Sequence, residues 1–205
     1  MQYQGLTQDD LANVRALNRR WLRLPQGDAG CGAPLTEKQL ERLAATPFLL
    51  FSFQEQDDPL WQALLRGDGQ QDLLHRETTA SAELLALQAA GLAFLWELVR
   101  RNPYVARVVS GAPLSWCEQL ASLTLVRVLE STARCTVIES RFDDESSLYQ
   151  RLLQRGGSAR QKTRVFAQIG ALQAKLTSAT LVPNRRFPAA ASGKPQAAER
   201  VADKV

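Results

Sequence analysis

Three kinds of side chain in this sequence could do chemistry, and spacing decides what each can do. Acidic pairs stand at Asp57-Asp58 and Asp143-Asp144. Paired carboxylates can divide general acid and base roles when their surroundings separate their proton affinities. Both pairs, however, directly precede a helical pattern, where an acidic side chain caps free backbone N–H groups, and they read as helix starters. The single histidine, His75, lies in a polar stretch with no second histidine to complete a catalytic or metal-binding set. Cys31, Cys117 and Cys135 are odd in number, far apart and without CxxC spacing, which suggests neither a disulfide framework nor a zinc site. No glycine-rich phosphate loop, GxSxG or HExxH is present. The expectation is a protein that is not an enzyme and that uses no metal or other cofactor.

Basic residues carry a stronger signal. Residues 157–205 hold nine Lys and Arg against Glu199 and Asp203, a balance of +7; the whole chain is +4, so the first 156 residues stand at −3. Arg160, Lys162 and Arg164 crowd the start of a helical pattern, where positive charge opposes the helix dipole and an anionic partner would relieve it. Together with Arg185 and Arg186 they are the candidate nucleic-acid-binding residues, suited to sequence-independent phosphate contacts. A solvated, flexible basic end accounts for the same composition equally well. No helix-turn-helix signature singles out a base-reading residue.

The elements that must position these residues are legible in hydrophobic spacing. Residues 6–24 form an opening helix, with Thr7, Asp9 and Asp10 at its start and Leu11, Val14, Leu17, Trp21 and Leu22 as its stripe. Arg15, Arg19, Arg20 and Arg23 decorate its other sides, as a solvated face or as a phosphate-facing surface. After a glycine-rich loop, a helix starts at Thr36, carries Leu40, Leu43 and Ala44, and stops at Pro47. The run Phe48 to Phe53 reads as a buried strand, and Asp57-Asp58-Pro59 leads into a helix with Leu60, Trp61, Leu64 and Leu65, stopped by Gly67.

A comparable sentence recurs downstream. A helix carries Val128 and Leu129, residues 135–142 read as a strand, and Asp143-Asp144 opens a helix with Leu148, Tyr149, Leu152 and Leu153 before Gly156-Gly157. The segments FQEQDDPLWQALLRG and FDDESSLYQRLLQRG match most closely, which points to duplication of one unit. Residues 80–101 are the longest helical pattern and are apolar on more than one face, as in a central core helix or an oligomer interface. Leu92, Leu95, Trp96 and Val99 are the candidate protein-interface residues. Residues 104–109 make a short helix ended by Gly111 and Pro113, Ser115 caps the next, and Ser158 caps a last helix with Val165, Ile169, Leu172 and Leu176 as its stripe.

The expected fold is mainly α: two tandem small helical domains, each with one short strand, packed against each other through helices as in a dimer, with a flexible basic C-terminal tail. The boundaries are 1–67 for the first unit, 68–79 for a linker, 80–176 for the second unit with its C-terminal helix, and 177–205 for the tail. A chain of 205 residues that is 45% hydrophobic and 22% charged can bury a proper core. No apolar run approaches the roughly 20 residues of a membrane span, and MQYQGLTQDD has neither a basic nor an apolar leader region. A cytoplasmic location away from membranes is expected.

Several segments resemble the FlhD family of flagellar master transcription regulator subunits. They are LTEKQLERLAATPFLLFSF in the first unit and, in the second, residues 92–101, ARVVSGAPLSWCEQLASLTL and SRFDDESSLYQRLL, with the quartet Arg141 to Asp144 the nearest local match. Similar patterns occur in regulators carried on conjugative elements. The resemblance implies an α-helical transcription activator subunit that dimerises through long helices and binds promoter DNA with an FlhC-like partner. The family's strand cysteine, which links its dimer, falls here at Phe51 and Ile138, so that disulfide does not carry over. A tandem chain would also put both halves of a family-type dimer into one polypeptide. A protein-interaction adaptor or chaperone of a secretion or conjugation system, without direct DNA binding, is the competing expectation.

Overall fold

Side-chain caps mark out the helices of the computed structural model, which describes residues 5–24, 35–66, 81–133, 135–140 and 147–178. The Thr7 hydroxyl accepts the Asp10 N–H at 3.1 Å while the Asp10 carboxylate accepts the Thr7 N–H at 2.8 Å, a reciprocal capping box that starts α1 (Gln8–Arg23). Thr36 and Gln39 repeat the device for α2 (Glu37–Ala44). The short strand β1 (Phe51–Ser52) follows, and the Asp57 carboxylate accepts the Leu60 N–H at the head of α3 (Asp58–Arg66). Ser81 caps α4 (Ala82–Arg101). Asn102 ends α4 and caps α5 (Pro103–Ser110), which closes on the left-handed Gly111 at φ 75°. Helix α6 (Leu114–Ser122) starts after Pro113 without a side-chain cap, so Ser115 lies inside it. Thr124 caps α7 (Leu125–Thr132); β2 (Glu139–Ser140), α8 (Ser147–Gly156) and α9 (Gln161–Ser178) complete the described order.

The protein is mainly helical, as the hydrophobic spacing predicts. Its one described sheet pairs β1 with β2 antiparallel, Phe51 opposite Ser140 and Ser52 opposite Glu139. Strand β1 is shorter than the run Phe48 to Phe53 suggests, and β2 begins later than residue 135, because the neighbouring backbone is already engaged. Asn18, fully buried in α1, donates its amide to the carbonyls of Phe48 (2.9 Å), Ala44 and Thr46 (both 3.3 Å), and its Oδ1 accepts the Leu50 N–H at 2.9 Å. The Leu49 N–H donates to Val109 O at the end of α5. Gln88 of α4 does the corresponding work downstream. Its amide donates to Thr132 and Cys135 carbonyls, both at 2.9 Å, and accepts the Val137 N–H at 2.8 Å. In each case a long helix holds the passage from a short helix into a strand.

Helix α4 sits among α1, α5, α6 and α7, and α2 lies against α8 as α3 lies against α7. One hydrophobic cluster runs from Val14 through Phe48, Phe51, Phe53, Leu87, Leu92, Leu95, Trp116 and Val137 to Ala171. Close approach at α4 needs Gly91, where an added Cβ would stand 2.6 Å from the Phe53 ring. Leu92, Leu95 and Val99 are buried in this core, so the layer covering them is the chain's own. Trp96 is half-buried: its indole N–H donates to Leu123 O at 2.8 Å, and the Arg100 guanidinium lies 4.7 Å from its ring. Three of the four residues expected at a protein interface are thus covered by the chain's own helices, while Trp96 keeps part of its surface open. By length and composition α4 does reach the range of a membrane span, unlike the sequence expectation; half of that apolar window is buried inside the protein.

Removing either amide leaves buried backbone groups without partners. Asn18→Ala and Gln88→Ala should each lower the free energy of unfolding by about 2 to 4 kcal/mol in urea titrations. An effect within the range of an exposed substitution would show that water replaces these bonds.

Candidate functional site

The α8–α9 hairpin carries the charged surface, and a buried lysine sets how α9 sits. The Lys175 ammonium donates to Val109 O at 2.6 Å and Leu49 O at 3.3 Å and lies 4.8 Å from the centre of the Phe48 ring. Its stem fills the space where Gly111 lacks a side chain, 2.5 Å from where a Cβ would be. Ala171, one turn earlier, is also fully buried. Turning this face inward turns the expected stripe outward: Val165 is 42% exposed, Ile169 56% and the adjacent Phe166 76%, while Leu172 and Leu176 are half-buried. The predicted stripe is thus corrected in its first half: satisfying two buried carbonyls places Lys175 and Ala171 against the core and leaves Val165 and Ile169 outside it, while Leu172 still packs on the core's edge.

The turn between the helices is held by arginines. Arg42 donates to Gly157 O at 3.4 Å, and Arg164 donates to Ser158 and Ala159 carbonyls at 2.9 and 3.0 Å. Gly157 permits this approach to α2, because a Cβ there would meet Gln39 at 2.9 Å. Helix α9 begins at Gln161, three residues after Ser158, whose hydroxyl accepts the Arg160 N–H. Arg160 and Lys162 are exposed, whereas Arg164 is half-buried and committed to the turn; Arg185 and Arg186 lie outside the described residues.

Two further cations, Arg151 and Arg155, project one turn apart from the exposed face of α8. With Lys162, Phe166 and Gly170 they line a groove of about 490 Å³ between α8 and α9. A second groove of about 320 Å³, on the other flank of α9, is lined by Arg15, Arg42, Arg164 and Val165 among others. The α8 cations do have a signal in the sequence: no Asp or Glu occurs between Glu145 and Glu199. Counting charge only from residue 157 misses it. Among the described residues, Arg151, Arg155, Arg160 and Lys162 make no ion pair. The arginines of α1 behave differently, since Arg15 and Arg19 pair with Glu41 at 2.9 and 2.6 Å and Arg23 pairs with Glu37.

No family model, curated protein or solved structure matches this chain.

Cys117 and Cys135 are free thiols, and Cys31 lies outside the described residues. Burial pushes Cys117 up to about 12, with the nearby Glu55 charge adding to the effect, and burial also raises Cys135. Among the described residues no three His, Cys, Asp or Glu side chains converge on a metal-sized space. Glu41 is held below the usual carboxylate range by hydrogen bonds from Arg19 and Arg15. Burial alone raises Asp10, but hydrogen bonds from Arg101 and Thr7, with the Arg101 charge, outweigh it and leave the carboxyl below its ordinary value.

The Asp10–Arg101 pair, at 2.5 Å, links the start of α1 to the end of α4. A depressed carboxyl contributes stability above its unfolded value of 3.8, and that stability is lost as the pH falls through the lower folded value. Asp10→Asn should lower Tm at neutral pH, and the gap from wild type should close as the solution is acidified well below 3.8. A gap of constant size across that titration would refute the linkage.

Proposed function

We propose that this chain is a DNA-contacting subunit of a transcription activator that works with an FlhC-like partner protein. The observation that carries the proposal is the uncompensated charge of the α8–α9 hairpin: Arg151, Arg155, Arg160 and Lys162 are exposed without an ion pair among the described residues, on an acid-free stretch of sequence. Phosphate contacts of this kind release counterions and supply affinity without reading bases. The likeness of LTEKQLERLAATPFLLFSF and SRFDDESSLYQRLL to FlhD-family segments supports the regulatory role. So does the matched use of Asn18 and Gln88, which we read as two copies of one unit, 1–67 and 80–176, joined by 68–79. In this reading the chain works in the cytoplasm, where its promoter lies.

Arg160→Gln combined with Lys162→Gln tests the role without touching the core. On duplex DNA, the plot of log affinity against log salt should become shallower by about 2, close to 0.9 for each phosphate that is no longer neutralised. Cutting after Ser178 removes Arg185 and Arg186 and leaves Ala171 and Lys175 in place, and it should flatten the plot by a similar amount. Unchanged plots for both variants remove DNA from the function. Truncation at residue 157 is unsuitable, because it strips buried side chains from the core.

A second reading, an adaptor or chaperone of a secretion or conjugation system, draws on the exposed Val165, Phe166 and Ile169. Under it the chain captures a protein partner and does not retard DNA at moderate salt.

A further inference from the structure

The outer face of α9 joins two features that phosphate contacts do not use together. Val165, Phe166 and Ile169 form an exposed apolar ridge within little more than one helical turn. Cations flank it on both sides: Arg151, Arg155 and Lys162 line the groove toward α8, and Arg15, Arg42 and Arg164 line the groove toward α1 and α2. Among the described residues, the one carboxylate lining either groove is Glu41, already paired with Arg15 and Arg19.

We infer that this ridge and its flanking grooves dock an acidic amphipathic helix of a partner protein. Such a helix presents apolar side chains at i, i+3, i+4 and i+7, which would lie along Phe166 and Ile169 and reach the groove floor at Ala167 and Gly170. Carboxylates on its two shoulders would then meet Arg151 and Arg155 on one side and Arg42 on the other.

The alternatives fit less well. Nucleic-acid interfaces are polar and strongly basic, and a duplex would leave Phe166 and Ile169 against phosphate and water. Two copies of this chain pairing ridge to ridge would bring Arg151, Arg155 and Lys162 against their own equivalents. A membrane-surface helix embeds a long apolar face, whereas this ridge offers three large side chains on a helix already docked on the protein. The inference shares Arg151 and Arg155 with the DNA reading but is decided at Phe166, whereas that reading is tested at Arg160 and Lys162.

The test uses the full chain and a displayed library of helical peptides about five turns long, enough to span α9. Enriched peptides should combine a leucine-type stripe with Glu or Asp on both shoulders. Fluorescence anisotropy should show at least about 10-fold weaker binding to Phe166→Ser and to the double variant Arg151→Glu/Arg155→Glu. Changing the matching shoulder of the peptide from Glu to Lys should restore binding to the double variant. Unaltered melting curves confirm that these exposed substitutions leave the fold intact.

Failure to enrich any helical binder, enrichment of neutral or basic peptides, or binding indifferent to both variants overturns the proposal. So does a Phe166-dependent dimer in sedimentation, or the seating of phosphatidylglycerol vesicles or duplex DNA on the ridge, seen as binding that Phe166→Ser abolishes. Because Phe166→Ser leaves Arg160 and Lys162 in place, an intact DNA salt dependence in that variant separates the two readings.

Discussion

A buried amide that can be satisfied only by backbone is the constraint on which this fold depends. Asn18 has no exposed surface, and an unpartnered amide in that place would cost more than a typical hydrogen bond returns. It is satisfied by the chain between α2 and β1, which curls so that three carbonyls and one N–H converge on a single side chain. That curl keeps β1 short and sends Phe48, Leu49, Phe51 and Phe53 inward together. Gln88, one methylene longer, imposes the same discipline between α7 and β2. Among the described residues the two strands pair at 51–52 and 139–140, next to the stretches that the two amides hold.

Local chemistry explains which parts of the architecture are legible in the sequence. Helix starts at Thr7 and Thr36 are readable because capping is settled within three residues of chain. The double role of Asn102 follows from its place before Pro103. Strand length is not readable, because it depends on Asn18 and Gln88, which lie roughly thirty to fifty residues away from the backbone they hold. The facing of α9 escapes the sequence for a related reason. Periodicity assigns the aliphatic side inward, but the pull on Lys175 comes from carbonyls on two distant segments.

The charged surface divides in the same way. In composition, the arginines of α1 and those of α8 look alike. Only tertiary packing gives the first set Glu37 and Glu41 as partners and leaves Arg151 and Arg155 without one among the described residues. A helix apolar on more than one face can be covered by its own chain as readily as by another, and α1, α5, α6 and α7 cover Leu92, Leu95 and Val99 of α4.

Lys175 also bears on when the molecule can become itself. Its partners lie 126 and 66 residues earlier in the chain, at Leu49 and Val109. A ribosome delivers those carbonyls, and the hollow at Gly111, long before it delivers the side chain that fills them. Until α9 is made, the carbonyls of Leu49 and Val109 and the hollow at Gly111 lack the side chain that covers them in the finished fold, so the native packing of the front of the protein is completed last.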